Sequence, residues 1–128
     1  ILIHENDADC LTDEKENMNL TACFAPFSPS RADRLLKEGD EITLGETVLR
    51  VMNTPGHTPG SCCFLTGNLL FSGDTLFKSS FGRIDFPRGS KTDMIASLTR
   101  LASLPDGTVV LPGHGEKTTI GAEKYWLR

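Results

Sequence analysis

The sequence predicts an α/β layered domain, a mixed sheet with a helix laid on one face, and three observations predict it. Two hairpin-like patterns come first, an amphipathic helical stretch follows, and a short β-branched run comes after it. A strand reached through a helix rejoins the sheet it left, and the helix buries its apolar stripe on that sheet in passing.

Taken in order, Ile1 to Ile3 reads as a short buried strand. Asp7 to Glu16 is polar and compatible with a helix, with Asp9 and Thr12 as candidate caps. Asn17 to Arg31 holds Pro26 and Pro29 among Asn and Ser, and reads as irregular loop. From Arg34 the pattern turns to β. Residues 41–44 and 47–52 flank Gly45-Glu46, a two-residue turn of the II′ kind, in which glycine takes the positive φ. Residues 61–65 and 69–71 flank Thr66-Gly67-Asn68, a second hairpin. Leu76 and Phe77 lead into a loop through Phe81-Gly82-Arg83-Ile84-Asp85. Between Lys91 and Leu104, Met94, Ile95, Leu98, Leu101 and Ala102 recur at helical spacing behind Ser90, a good N-cap. Pro105-Asp106-Gly107 stops that helix, Thr108 to Leu111 is a buried-type strand, and Gly121 to Arg128 a last helix. The chain has 128 residues with no repeat or internal linker, which fits one domain.

Composition excludes several classes. The net charge is −4, and no Lys/Arg cluster approaches a phosphate-backbone footprint, which argues against nucleic-acid binding. No apolar run is long enough to span a membrane, and the first residues lack the features of a signal peptide. Cys10, Cys23, Cys62 and Cys63 show no C-x-x-C spacing, so all four read as reduced thiols of a cytoplasmic protein.

The chemistry concentrates at strand exits. Of three histidines, two share one setting: His57 in Thr54-Pro-Gly-His57-Thr-Pro-Gly60, and His114 in Leu111-Pro-Gly-His114-Gly115. Proline ends the ladder and glycine permits close backbone approach, so each turn holds an imidazole at the sheet's edge. Asp74, in Ser72-Gly-Asp74-Thr75, also follows a strand and a glycine. Two histidines and a carboxylate at three strand ends predict a metal site with an incomplete ligand set.

These segments, with Phe71-Ser-Gly-Asp74-Thr-Leu-Phe77, Gly82-Arg-Ile-Asp85 and the tail from Leu111 to Gly121, resemble the metallo-β-lactamase superfamily in the family's own order. The resemblance is strongest to its short glyoxalase II-like members, the hydroxyacylglutathione hydrolase-like proteins. It implies half of an αββα sandwich and a two-metal site, usually zinc, with iron or manganese also used. His57 would be the third histidine of the first metal, Asp74 the catalytic bridging carboxylate, and His114 a ligand of the second metal. Arg83 would be a candidate substrate-binding residue, or else the partner of a local salt bridge with Asp85. Thr118, Thr119 and Glu123 would orient His114 or its loop. The family's opening His-x-His-x-Asp-His motif, source of four further ligands, is absent. The chain is therefore expected to be a C-terminal half, 1–128, whose N-terminal half is missing.

The implied activity is metal-dependent hydrolysis of a thioester or related small acyl substrate by the intact parent, with weak or no metal binding by this chain alone. Two alternatives stand beside it. One is an inactive half-domain acting only by association, as a homo-oligomer or with its missing segment. The other is a mononuclear iron enzyme of the persulfide dioxygenase kind.

Overall fold

The computed structural model describes residues 1–19 and 26–127. Cys23 and the middle of the predicted 17–31 loop therefore lie outside the described residues, as does Arg128.

The strand β1 (Leu2–His4) pairs in parallel with β2 (Arg34–Leu36). Between them Glu5–Leu11 forms a 3-10 helix rather than an α-helix beginning at Asp7. Its N-cap is His4, whose Nδ1 accepts from the Asn6 amide at 3.2 Å, while Thr12 closes the other end. The polarity pattern of the segment could not identify a capping imidazole, because histidine is not among the favoured N-cap residues.

Both predicted hairpins form. β3 (Glu41–Leu44) and β4 (Thr47–Asn53) meet across Gly45-Glu46, with Leu44 opposite Thr47 and Gly45 at φ +60°. β5 (Cys62–Thr66) and β6 (Leu69–Gly73) have Thr66 opposite Leu69, so their loop is two residues rather than three. Gly67, at φ +54°, supplies the turn. A small hairpin, β7 (Leu76–Phe77) with β8 (Ser80–Phe81), follows where the sequence suggested only loop.

α1 (Lys91–Ala102) starts where Ser90 predicts, its hydroxyl accepting from the Asp93 amide at 3.2 Å. Ser90→Ala should cost about 1 kcal/mol of stability by thermal or urea unfolding. The helix buries Met94, Leu98 and Leu101 but leaves Ile95 56% exposed, because Ile95 sits one residue round the cylinder from the stripe. The crossover through α1 brings β9 (Val109–Pro112) beside β6 in parallel. β10 (Thr118–Thr119) adds an antiparallel edge, and α2 (Ile120–Leu127) packs beside α1.

The resulting six-stranded sheet runs β10-β9-β6-β5-β4-β3. Met52, Cys63, Leu70 and Val110 face the helices and form one core with Met94, Leu98, Leu101, Ile120 and Leu127. The opposite face carries Val51, Phe64, Phe71 and Leu111 as consecutive cross-strand partners. Val51 is buried there, but Phe64 and Leu111 are only half-buried and Phe71 is 39% exposed. A sheet apolar on both faces is built to be covered on both.

Because β5 runs against both β4 and β6, those two point the same way, and β9 joins them. The C-terminal ends of β4, β6 and β9 therefore share one edge of the sheet, and the three candidate ligand loops leave from it. Among the described residues no helix is long and apolar enough to cross a membrane.

Candidate metal centre

The structure brings His57, Asp74 and His114 to one open cleft of about 270 Å³, lined also by Phe77, Phe81 and Arg83. His57 Nε2 lies 3.4 Å from Asp74 Oδ2, and His114 Nδ1 lies 2.8 Å from Asp74 Oδ1. One carboxylate thus stands between two imidazoles.

Local sequence explains each placement. The β6–β9 register shifts between Phe71 and Gly73, and Gly73 turns at φ +51°, re-aiming the chain so that Asp74 leaves the sheet's end. Gly113 donates to the Gly73 carbonyl at 2.8 Å, which holds the Asp74 and His114 loops together. A Cβ at Gly113 would sit 2.9 Å from Asp74 Oδ1, so glycine is what permits that approach. Gly82 is tighter still: a Cβ there would fall 1.7 Å from the Asp74 carbonyl oxygen. Gly82→Ala must therefore displace the Asp74 backbone, at an expected cost of about 1–3 kcal/mol or more. Thermal unfolding would measure it, and a variant as stable as wild type would contradict this packing.

The His57 loop is pinned from two sides. Its Nδ1 lies 2.7 Å from the Arg83 carbonyl. A carbonyl only accepts, so Nδ1 carries the proton and a neutral ring turns the Nε2 lone pair toward Asp74. From the other side, Asp7 accepts from the Thr58 hydroxyl and, at 3.0 Å, from the Gly60 amide. Asp7 is in turn paired with Arg88 at 3.2 Å. Beneath the loops, the buried hydroxyls of Thr54 and Thr75 meet at 2.9 Å and tie the His57 approach to the Asp74 loop. Sequence reasoning missed Asp7, which sits 51 residues from Thr58 with no spacing signal to join them.

His114 is mostly solvent-facing, with Phe77 edge-on at 5.7 Å between ring centres. Arg83 lines the cleft, yet its guanidinium binds both oxygens of Asp85 at 2.7 Å and stacks on Phe86 at 3.9 Å. Its hydrogen bonds hold the Asp85 carboxyl down to about 2. Thr118 and Glu123 act one step behind the cleft. Glu123 accepts from Thr118 and from the Ser79 amide at 2.8 Å, fixing the hairpin that carries Phe77. Thr119 instead caps α2, accepting from the Ala122 amide at 3.1 Å.

Among the described residues, no cysteine lines the cleft. Cys10, Cys62 and Cys63 are free thiols, and burial pushes Cys62 to about 12 and Cys63 to about 11.

The cleft suits metal in kind. A bare Nε2 lone pair and a carboxylate oxygen 3.4 Å apart repel unless a proton or metal cation lies between them. In number the donors fall short. Among the described residues no group of three His, Cys, Asp or Glu side chains is arranged to hold one ion. Two metals sharing Asp74 would each receive one imidazole and one carboxylate oxygen, against the three or four protein ligands usual for zinc.

A family model of the metallo-beta-lactamase superfamily matches residues 3–114, and the chain belongs to that superfamily. It is 41% identical over 91 residues to the hydroxyacylglutathione hydrolase GloC of Haemophilus influenzae, covering 69% of this chain and 43% of that protein. Among solved structures, BLEG-1 B3 metallo-beta-lactamase superposes with a TM-score of 0.87 at 36% identity, over 95% of this chain and 60% of that one. TTHA1623 in a di-iron-bound form gives a TM-score of 0.79 at 38% identity with the same coverage. The chain thus spans between 43% and 60% of the length of these relatives.

Proposed function

We propose that this chain is the C-terminal half of a metal-dependent hydrolase of the glyoxalase II-like kind, whose complete site cleaves thioesters or related acyl compounds. The observation that carries the reading is the shared carboxylate: Asp74 lies between His57 and His114 at the mouth of one cleft. His57 and His114 would each hold one metal and Asp74 would bridge them, with zinc the expected ion and iron or manganese the alternatives. Metals so held lower the pKa of bound water toward neutrality and polarise an acyl carbonyl. The Arg83 carbonyl keeps His57 in the ligating tautomer, and Phe77 restrains the exposed His114 ring. Arg83 is the candidate substrate contact, provided its guanidinium leaves Asp85.

The four remaining donors come from a segment carrying the His-x-His-x-Asp-His motif, supplied in the same polypeptide or by another. Its sheet would cover the Phe64–Phe71–Leu111 face. Without it, that face is a surface on which this chain would associate with itself. The free thiols Cys10, Cys62 and Cys63 fit a cytoplasmic setting, where thiols are kept reduced.

The test is metal content by elemental analysis. The chain alone should hold close to none, and the chain co-expressed with an N-terminal segment bearing the four donors should hold about two ions. That complemented protein should then hydrolyse acyl thioesters. Full metal loading without thioester turnover would sink the hydrolase reading, and one iron with oxygen uptake would replace it by the persulfide dioxygenase kind.

A further inference from the structure

Phe81 stands between two cavities. On one side it lines the cleft of His57, Asp74 and His114. On the other it opens onto a groove of about 360 Å³, walled by Met94, Ile95, Leu98 and Trp126 from α1 and α2. Lys91 and Thr99 are the polar side chains among its lining residues. Phe81 is 41% and Ile95 56% exposed, so these two apolar side chains face water, while Met94 and Leu98 belong to the buried core. Concave apolar space of this size with few polar groups has the form of a small-molecule site. Its place beside the cleft says which molecule. A compound whose carbonyl lies against Asp74 can pass its remaining carbons over Phe81 and leave water by entering the groove.

We infer that this groove is the acyl-chain subsite of the hydrolase and takes a medium-length unbranched alkyl chain, with Phe81 as the wall common to both cavities. The inference rests on the hydrolase reading above and extends it to a substrate class. Lys91, an exposed lining residue, offers a cation to a ligand carrying a negative charge.

Trp126 is the one tryptophan in the sequence and lines the groove, so its fluorescence reports occupancy in the 128-residue chain itself. Titration with octanoate should shift its emission saturably, and acetate should not. Ile95→Asn, at an exposed position whose folding circular dichroism can verify, should weaken octanoate at least tenfold. No response to octanoate, or an unchanged response in Ile95→Asn, would overturn the inference. So would light scattering that shows a dimer dispersed by octanoate, since a second copy would then be the occupant.

In the complemented protein, kcat/KM should rise about threefold per methylene from acetyl to octanoyl thioesters, and Phe81→Ala should flatten that rise. Equal values for acetyl and octanoyl would remove the subsite and leave the hydrolase. Failure to turn over either thioester, with Trp126 still responding, would remove the hydrolase and its acyl subsite together.

Discussion

Asp74→Asn should cost the complemented protein at least about 10³-fold in kcat for thioester hydrolysis, the effect of losing several kcal/mol of metal-borne stabilisation. The substitution keeps the shape of the side chain and removes its charge. It changes both pairings at once, because His57 approaches one oxygen at 3.4 Å and His114 the other at 2.8 Å. An amide at this point offers one acceptor instead of two and no charge to hold two cations together. Bound metal should therefore fall with activity. Single substitutions of His57 or His114 should each leave one of the two metals in place, so Asp74 is the variant in which both are expected to go. Retention of more than a tenth of wild-type turnover with full metal loading would show that Asp74 is not the bridge.

What the sequence made legible was the set of strand exits. Each Pro-Gly-His turn and the Gly-Asp turn are local, and local chemistry can be read one residue after another. The sheet order then follows from two tight hairpins and one helical crossover, and it places the ends of β4, β6 and β9 on one edge. The contacts that aim the side chains were not legible in this way. Asp7 reaches Thr58 and Gly60 across the chain, and the Arg83 carbonyl fixes the His57 ring through a backbone atom that no side-chain pattern encodes. The Gly82 and Gly113 requirements are steric facts about two loops meeting, visible only once both loops are placed. Arg83 shows the same limit from the other direction. Its segment resembles a site motif, and the structure gives it both a place in the cleft and the local ion pair with Asp85.

The apolar stripes divide in a similar way. Helical spacing identified α1 and its buried face but could not assign Ile95, which lies at the margin of the stripe. Likewise, alternation finds a strand but does not say whether its second face meets water. Only the cross-strand register aligns Val51, Phe64, Phe71 and Leu111 into one apolar row. That row and the short ligand count among the described residues are independent observations that support the proposed half-domain reading, the first in packing and the second in coordination.

Removing the Glu123 carboxylate should be the most damaging single change behind the site. Glu123 is 2% exposed and accepts from the Thr118 hydroxyl, from Trp126 Nε1 at 2.6 Å and from the Ser79 amide at 2.8 Å. It therefore joins β10, α2 and the β7–β8 turn. Glu123→Ala orphans three donors, and about 3 kcal/mol or more of stability should be lost, a fall of roughly 10 °C in Tm. Glu123→Gln keeps one acceptor and should lose less. Acid titration separates charge from shape. Burial alone would raise the carboxyl, but the Thr118, Trp126 and Ser79 donors outweigh it and hold it below its ordinary value of 4.5. The stabilisation is complete above that ordinary value and disappears as pH falls through the lower, folded-state one. Wild-type stability should drop more steeply than that of Glu123→Gln over this acidic window. Parallel acid limbs for the two proteins in urea unfolding would show that the carboxylate's charge does not hold these three elements together.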